Sequence, residues 1–330
     1  MIMLRHLRAL RRCSRLCLFP LLLVQMSPAA ALADTAGANA AIQAGRADDA
    51  VHLLQTALSS EPRNPKAHQL LCRAYYEQEL VDAAVHECET AVAIAPNDSS
   101  NQLWMAKAYG QQASRVNLIA AFALARRVRA AFEQAARLDP NNLEAIVDLG
   151  HFYVDAPGVV GGGLDKAQAL HDRLQALSGA NAHTLLAMIA DKKGDTATAE
   201  AEFQHAIEAA NTPEAYIDLG NFYQLHQRYA EAEAALQSAI RQDRAHDQSL
   251  VDAASILTAA HRNPQLAEQL LREYLASPAK SEEAPAFRVH VQLGMLLAAD
   301  GDKPGARREY GAALALASQY AAAKTALEKL

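Results

Sequence analysis

Three side chains in the first third of the sequence carry the donor types of a metal centre. His68 and Cys72 are four residues apart, one turn of a helix, and Cys88 follows 16 positions later. One imidazole and two thiolates supply three of the four ligands of a tetrahedral zinc site. The same three residues also suit core positions, where a free cysteine behaves as a small hydrophobe. A second stretch, APGVVGGGLDKA at 156–167, has the look of an anion cradle, with glycines running into a segment that carries a lysine. Backbone N–H groups at a helix start there would face an anion. The nucleotide context fails, because Gly-x-x-x-x-Gly-Lys-Ser/Thr is absent and no strand precedes the glycines. No Ser/His/Asp arrangement in motif context, no His-Glu-x-x-His and no Cys-x-x-Cys occurs, and the 12 histidines show no tight metal spacing. Neither a catalytic residue nor a cofactor is expected.

The N-terminus says where such a chain would work. Arg5, Arg8, Arg11, Arg12 and Arg15 precede an apolar run from Leu16 to Met26, and Ala31-Leu32-Ala33 is a small-x-small site. That order reads as a secretory signal peptide over 1–33, and a periplasmic location is expected. The run is too short and too broken by Pro20 to serve as a membrane span. With five arginines removed, 26 basic side chains face 37 acidic ones, a balance near −11. Nucleic acid is excluded as a partner by that sign and by the lack of a basic tract interleaved with aromatics. No stable membrane insertion is expected after cleavage.

The elements that must position these residues repeat. Pro62 and Pro96 are 34 apart, as are Ala50 and Ala84, and Leu71 and Met105; Leu186 and Leu219 are 33 apart, as are Ala199 and Ala232. Within Pro65 to Asp98 two helical stripes are separated by a break at Glu79-Leu80 and ended by Pro96-Asn97. Neither helix could bury its stripe alone, whereas stacked units form one continuous core.

These units resemble the tetratricopeptide repeat (TPR), whose pattern is W-x2-L-G-x2-Y…A-x3-F…P. Tyr216-x2-Leu219-Gly220-x2-Tyr223 leads to Ala232-x3-Leu236, and Ile146-x2-Leu149-Gly150-x2-Tyr153 leads to Ala167-x3-His171. His68-x2-Leu71-Cys72-x2-Tyr75, His183-x2-Leu186-Ala187-x2-Ala190 and His290-x2-Leu293-Gly294-x2-Leu297 keep the same frame. The resemblance covers nearly the whole chain after residue 33. It implies an all-α, right-handed solenoid with repeats near 34–64, 65–98, 99–142, 143–179, 180–213, 214–246, 247–280 and 286–319, and a capping helix at 320–330. It also implies a scaffold that binds a protein or peptide, in a setting such as envelope assembly, secretion or polysaccharide export. A metal- or anion-binding protein built on the repeats is the alternative.

The first helices of such repeats line a concave groove. Their outward positions are Lys66, Gln69, Arg73 and Tyr76, then Leu103, Lys107, Val147, His151 and Val154, then Met188, Asn221, Gln224 and Met295. Lys66, Arg73 and Lys107 are expected to meet acidic groups of a partner, and Val147, Val154 and Met188 an apolar side chain. Two turns break the period. The third repeat is ten residues longer than the second between Tyr109 and Phe132, and APGVVGGG lengthens the fourth by five. Both helices of the third repeat are expected to overhang, with Leu118, Ile119 and Phe122 lying on Val159 and Val160. Pro157, Gly161 and Gly162 complete that edge, Asp165 is a candidate cap for the next helix, and the edge is a second candidate binding surface.

Cys72 and Cys88 fall on the two helices of one repeat. In an oxidising compartment a pair within reach bridges. A bridge needs Cα atoms within about 4.4–6.8 Å, closer than the usual 8–10 Å between helix axes, so a bridge and two packed thiols both remain open from sequence.

Overall fold

The computed structural model describes the backbone from Pro28 to Leu330 and side chains from Thr35; the expected signal peptide lies outside the fully described residues. Eight helix pairs succeed one another. They are α1 (Pro28–Gln43) with α2 (Ala47–Ser60), α3 (Pro65–Glu77) with α4 (Val81–Ile94), and α5 (Ser99–Ala113) with α6 (Leu118–Leu138). Next come α7 (Leu143–Asp155) with the short α8 (Leu164–Gln168) and α9 (His171–Leu177), and α10 (Gly179–Lys192) with α11 (Thr196–Ala210). The last three pairs are α12 (Pro213–Leu225) with α13 (Tyr229–Gln242), α14 (Gln248–Ala259) with α15 (Pro264–Ala276), and α16 (Ala286–Ala299) with α17 (Lys303–Leu316). Helix α18 (Ala321–Glu328) closes the stack against α16 and α17.

Local chemistry sets these boundaries. Asn64, Asp98 and Asn142 precede α3, α5 and α7, and each side chain accepts a hydrogen bond from the backbone N–H three residues on. That satisfies a donor the helix cannot use internally. Small residues let helices approach, both within a pair and between neighbouring repeats. A Cβ on Gly220 would meet Leu236 at 2.9 Å, and one on Gly150 would meet Leu185 at 3.1 Å.

The third repeat extends unequally. Helix α6 has 21 residues against 14 in α4, while α5 has 15 against 13 in α3. The overhang expected of both helices is therefore almost all in α6, about 10 Å at 1.5 Å per residue. In the fourth repeat Ala156 ends α7 as expected, but Asp165 is not a cap: α8 begins at Leu164 behind Gly163, and Asp165 lies in its first turn.

The superhelix also meets itself. Asp48 in the first turn of α2 accepts a hydrogen bond from the Ser318 N–H at 2.9 Å, and Arg288 Nε on α16 donates to the Glu77 carbonyl at 2.9 Å. Gly45 lies directly against the Ala286 backbone, and Ala47 is buried in the same apolar cluster as α14 to α17. The first and last repeats are thus in contact. Among the described residues no helix is long and apolar enough to cross a membrane.

Candidate functional site

The early part of the inner wall is built around Trp104 on α5. Arg73 from α3 and Lys107 from α5 lie over its ring, at 5.2 and 4.8 Å from the centroid, and Tyr76 meets it edge-on at 5.7 Å. Both cations are also paired within the chain. Arg73 holds the Glu282 carboxylate at two points, through Nε at 2.7 Å and through its terminal nitrogen. Lys107 pairs with Glu144 and lies 3.4 Å from Asp148. Lys66 donates to Gln69 Oε1 at 2.6 Å, and Gln69 is buried. The expectation that Arg73 and Lys107 wait for a partner's acids is corrected: the chain supplies those acids itself. Leu103 is likewise core, only 2% exposed.

The middle of the wall is different. A cavity of about 580 Å³ opens between α7, α10 and α12. Val147, His151 and Val154 come to it from α7, Thr184 and Met188 from α10, and Asp218, Asn221 and Phe222 from α12. Five residues named from sequence (Val147, His151, Val154, Met188 and Asn221) are brought together here. Gln224 and Met295 are not; Met295 faces a second, largely apolar hollow of about 620 Å³ between α14 and α16. Asp218 lies in the first cavity's wall, which Asp155, Asp191 and Lys192 also line. It accepts from Thr184 Oγ1 at 3.3 Å. Burial, then the like charges of Asp252 and Glu214, push its carboxyl up to about 6. Asp252 on α14 is also raised to about 6, by the confined groove first and then by Asp247, Glu214 and Glu283. Asp218 and Asp252 have no ion-pair partner among the described residues, whereas Asp155 and Asp191 of the same cavity lie against Lys192 and His226.

Two repeat-family models match the sequence, each described as tetratricopeptide repeat, over residues 41–108 and 184–249. The chain belongs to the tetratricopeptide repeat superfamily. Yeast Tom70 shares the fold at a TM-score of 0.53 and 17% identity, over 86% of this chain and 60% of that one. A thermophilic TPR protein of Thermus thermophilus aligns at 21% identity over 69% of this chain and 100% of its own, with a TM-score of 0.47. A TPR protein of Parabacteroides merdae aligns at 14% over 82% and 99%, with a TM-score of 0.48. No curated protein sequence matches. TPR folds are in general interaction scaffolds rather than enzymes.

Two polar devices recur across this TPR array, and neither was foreseen from the sequence. His68, His183 and His290 occupy the place of the repeat's tryptophan, and each Nδ1 meets a glutamate 19 residues on: Glu87 at 2.6 Å, Glu202 at 2.7 Å and Glu309 at 2.7 Å. Tyr109, Tyr153 and Tyr223 each donate from the hydroxyl to a glutamate on the second helix of the preceding repeat, at 2.7–2.9 Å. Arg127 and Arg228 stack over two of those rings. The signal was present as constant spacing, 19 for the histidines and 20 for Tyr109 and Tyr153.

Cys72 and Cys88 are bonded to one another, with Cα atoms 5.1 Å apart, so the bridge is the outcome and His68 has no thiolates beside it. The His68–Cys72–Cys88 metal set is overturned on that chemistry. On the edge, Leu118 and Ile119 are 69% and 85% exposed and Val159 is 63% exposed, so the glycine-rich turn does not cover them. Val160 is buried, and Phe122 is half-buried. The turn rests against α6 further along, where a Cβ on Gly161 would overlap the Arg129 side chain. Lys166 donates to the Gly161 carbonyl at 2.8 Å, so the lysine of the supposed anion cradle ties down the turn.

Proposed function

We propose that the chain is a non-enzymatic scaffold of the periplasm that holds a segment of a partner protein in the cavity between α7, α10 and α12. An apolar side chain fits the Val147–Val154–Met188 wall, and a basic group on the same segment meets Asp218. The observation that carries this is Asp218 set beside the apolar Val147–Val154–Met188 wall of a hollow whose remaining lining mixes polar and apolar side chains. Most ligand sites combine an apolar lining with a few fixed polar groups in this way. The location rests on the reading of 1–33 as a signal peptide, supported by a Cys72–Cys88 bridge of a kind that persists in oxidising compartments.

The test is photocrosslinking in the native host, with a reactive side chain placed at Met188, at Asn221 or at Gln237 on the outer helix α13. The reading expects one partner captured from Met188 and Asn221 and not from Gln237, and lost on Asp218→Lys. Capture from Leu118 or Ile119 alone would move the binding surface to the exposed apolar tip of α6 and overturn it.

A further inference from the structure

The three His–Glu pairs are alike in spacing and geometry but differ one helical turn beyond the glutamate. Thr90 stands one turn after Glu87, and Ala312 one turn after Glu309. His205 stands one turn after Glu202. In that repeat alone a second imidazole joins the pair. His205 Nδ1 lies 3.7 Å from Glu202 Oε2, the oxygen that His183 Nδ1 meets at 2.7 Å. The two rings are tilted by 58° to one another with centroids 5.3 Å apart. A donor atom from each of the three residues lies within 4.8 Å of the other two.

We infer that His183, Glu202 and His205 form a binding site for a divalent transition metal of the zinc class. Ligand bonds of about 2.0–2.1 Å set tetrahedral donors about 3.3 Å apart. The two imidazole–carboxylate distances, 2.7 and 3.7 Å, bracket that value, and all three donor atoms lie within 4.8 Å of one another, so side-chain rotation would bring them round an ion. Two imidazoles and one carboxylate suit zinc, copper or nickel rather than calcium or magnesium. The ligands sit on rigid elements, His183 on α10 and the Glu-x-x-His pair on α11, whose i, i+3 spacing places both side chains on one face. The side chains are 28%, 20% and 50% exposed, which leaves an entry path. Three protein ligands leave the fourth position for water or for a donor from another molecule. The bound ion would fasten the two helices of the fifth repeat. The inference does not depend on the cavity reading, since none of the three residues lines it.

The experiment uses a chain begun at Asp34, without a histidine tag, stripped by chelator and titrated with zinc against a chromophoric competitor. One ion per chain is expected, held more tightly than about 10 μM. His205→Ala and Glu202→Gln should each weaken it at least about tenfold. His68→Ala and His290→Ala, which remove the pairs lacking a third ligand, should leave it unchanged. Cobalt in place of zinc should give visible absorption that His205→Ala abolishes. Thr90→His completes the triad beside His68 and Glu87 and should add a second equivalent. Helicity of each variant without metal is read by circular dichroism, and half-exposed His205 is the position that changes least in the fold. No stoichiometric ion, or an ion retained in His205→Ala, would mean an adventitious ion only and would overturn the site.

Discussion

Arg73 on α3 and Glu282, in the short segment between α15 and α16, are 209 residues apart and share a two-point ion pair in which their side chains are only 11% and 5% exposed. Gln43 adds a hydrogen bond to the same carboxylate at 3.2 Å. The pair fastens the second repeat to the approach of the last one. Removing one partner strands a buried charge, which costs about 3–5 kcal/mol. Glu282→Ala is therefore expected to open the contact between the ends. Small-angle scattering should show a larger radius of gyration, and hydrogen exchange should rise first in α2, α3 and α16. The Arg73→Met/Glu282→Leu double variant should recover much of the loss.

Glu77 gives the same seam a pH dependence. Its side chain is 8% exposed and lies 3.5 Å from Arg288, too far for a hydrogen bond. Burial, reinforced by Glu282 and Glu283 and opposed by Arg288, pushes its carboxyl up to about 7. An unfolded glutamate titrates near 4.3, so between those values the folded chain binds the extra proton. Stability from this group is greatest below the unfolded value and falls as pH rises from there through about 7, by roughly 4 kcal/mol. The difference in denaturation free energy between Glu77→Gln and the parent should grow in the variant's favour from pH 5 to pH 8. A constant difference would show that Glu77 does not titrate in that window.

The repeats were legible because their packing is written in small and large residues at fixed intervals, as in Leu219-Gly220 and Ala232. The closure was not, because a period of 34 fixes neighbours and says nothing about where accumulated curvature brings the ends. One irregularity did mark it: the Ser-Glu-Glu-Ala-Pro segment at 281–285, an insertion between repeats that carries Glu282. The apolar half of the cavity could be read from Val147, Val154 and Met188. Asp218 could not, since a lone acid on a first helix looks solvated until Thr184 and the neighbouring acids are placed around it. The cysteine pair was placed on facing helices, but only the 5.1 Å Cα separation decides between bridge and thiols.

Partner capture through the cavity should carry the signature of Asp218. Its carboxyl, held at about 6 by burial, is charged above that pH and neutral below it. Binding of a basic segment is expected to weaken as pH falls from 7 to 5 and to weaken with added salt. Asp218→Asn should lower affinity by about tenfold and flatten the pH response; truncating a hydrogen bond to a charged group costs about 1.5–3 kcal/mol. Affinity measured at several pH values for both proteins checks it, and an unchanged pH response in the variant would exclude Asp218 from recognition.

Gly161 holds the glycine-rich turn against α6. Its φ is +99°, and a Cβ there would overlap Arg129. Gly161→Ala should cost about 1–2 kcal/mol from backbone strain alone, with displacement of Arg129 added. Gly158→Ala is the control, since open space surrounds that position and the change should stay within about ±0.5 kcal/mol. Thermal melts should separate the two variants clearly, and equal melting temperatures would show that the turn does not depend on the αL glycine.

The Cys72–Cys88 bridge joins α3 to α4 within one repeat, and both residues are essentially inaccessible, at 0% and 1% exposure. Thiol counting checks it. A chain begun at Asp34 holds two cysteines, because Cys13 and Cys17 precede it. Unfolded without reductant it should show no reactive thiol, and after reduction two. The 16-residue separation implies a loop-closure stabilisation of about 3 kcal/mol. Serine would leave a buried hydroxyl and confuse the measurement, so Cys72→Ala/Cys88→Val is the better probe, compared with the reduced parent. Both should lose about the same stability, and the loss should be concentrated in hydrogen exchange of α3 and α4. Because the bond is buried, reduction of the folded chain should require local opening and be slow at neutral pH, then accelerate in mild denaturant. Two reactive thiols in the unreduced chain would leave Cys72 and Cys88 as packed neighbours and remove this support for an oxidising compartment.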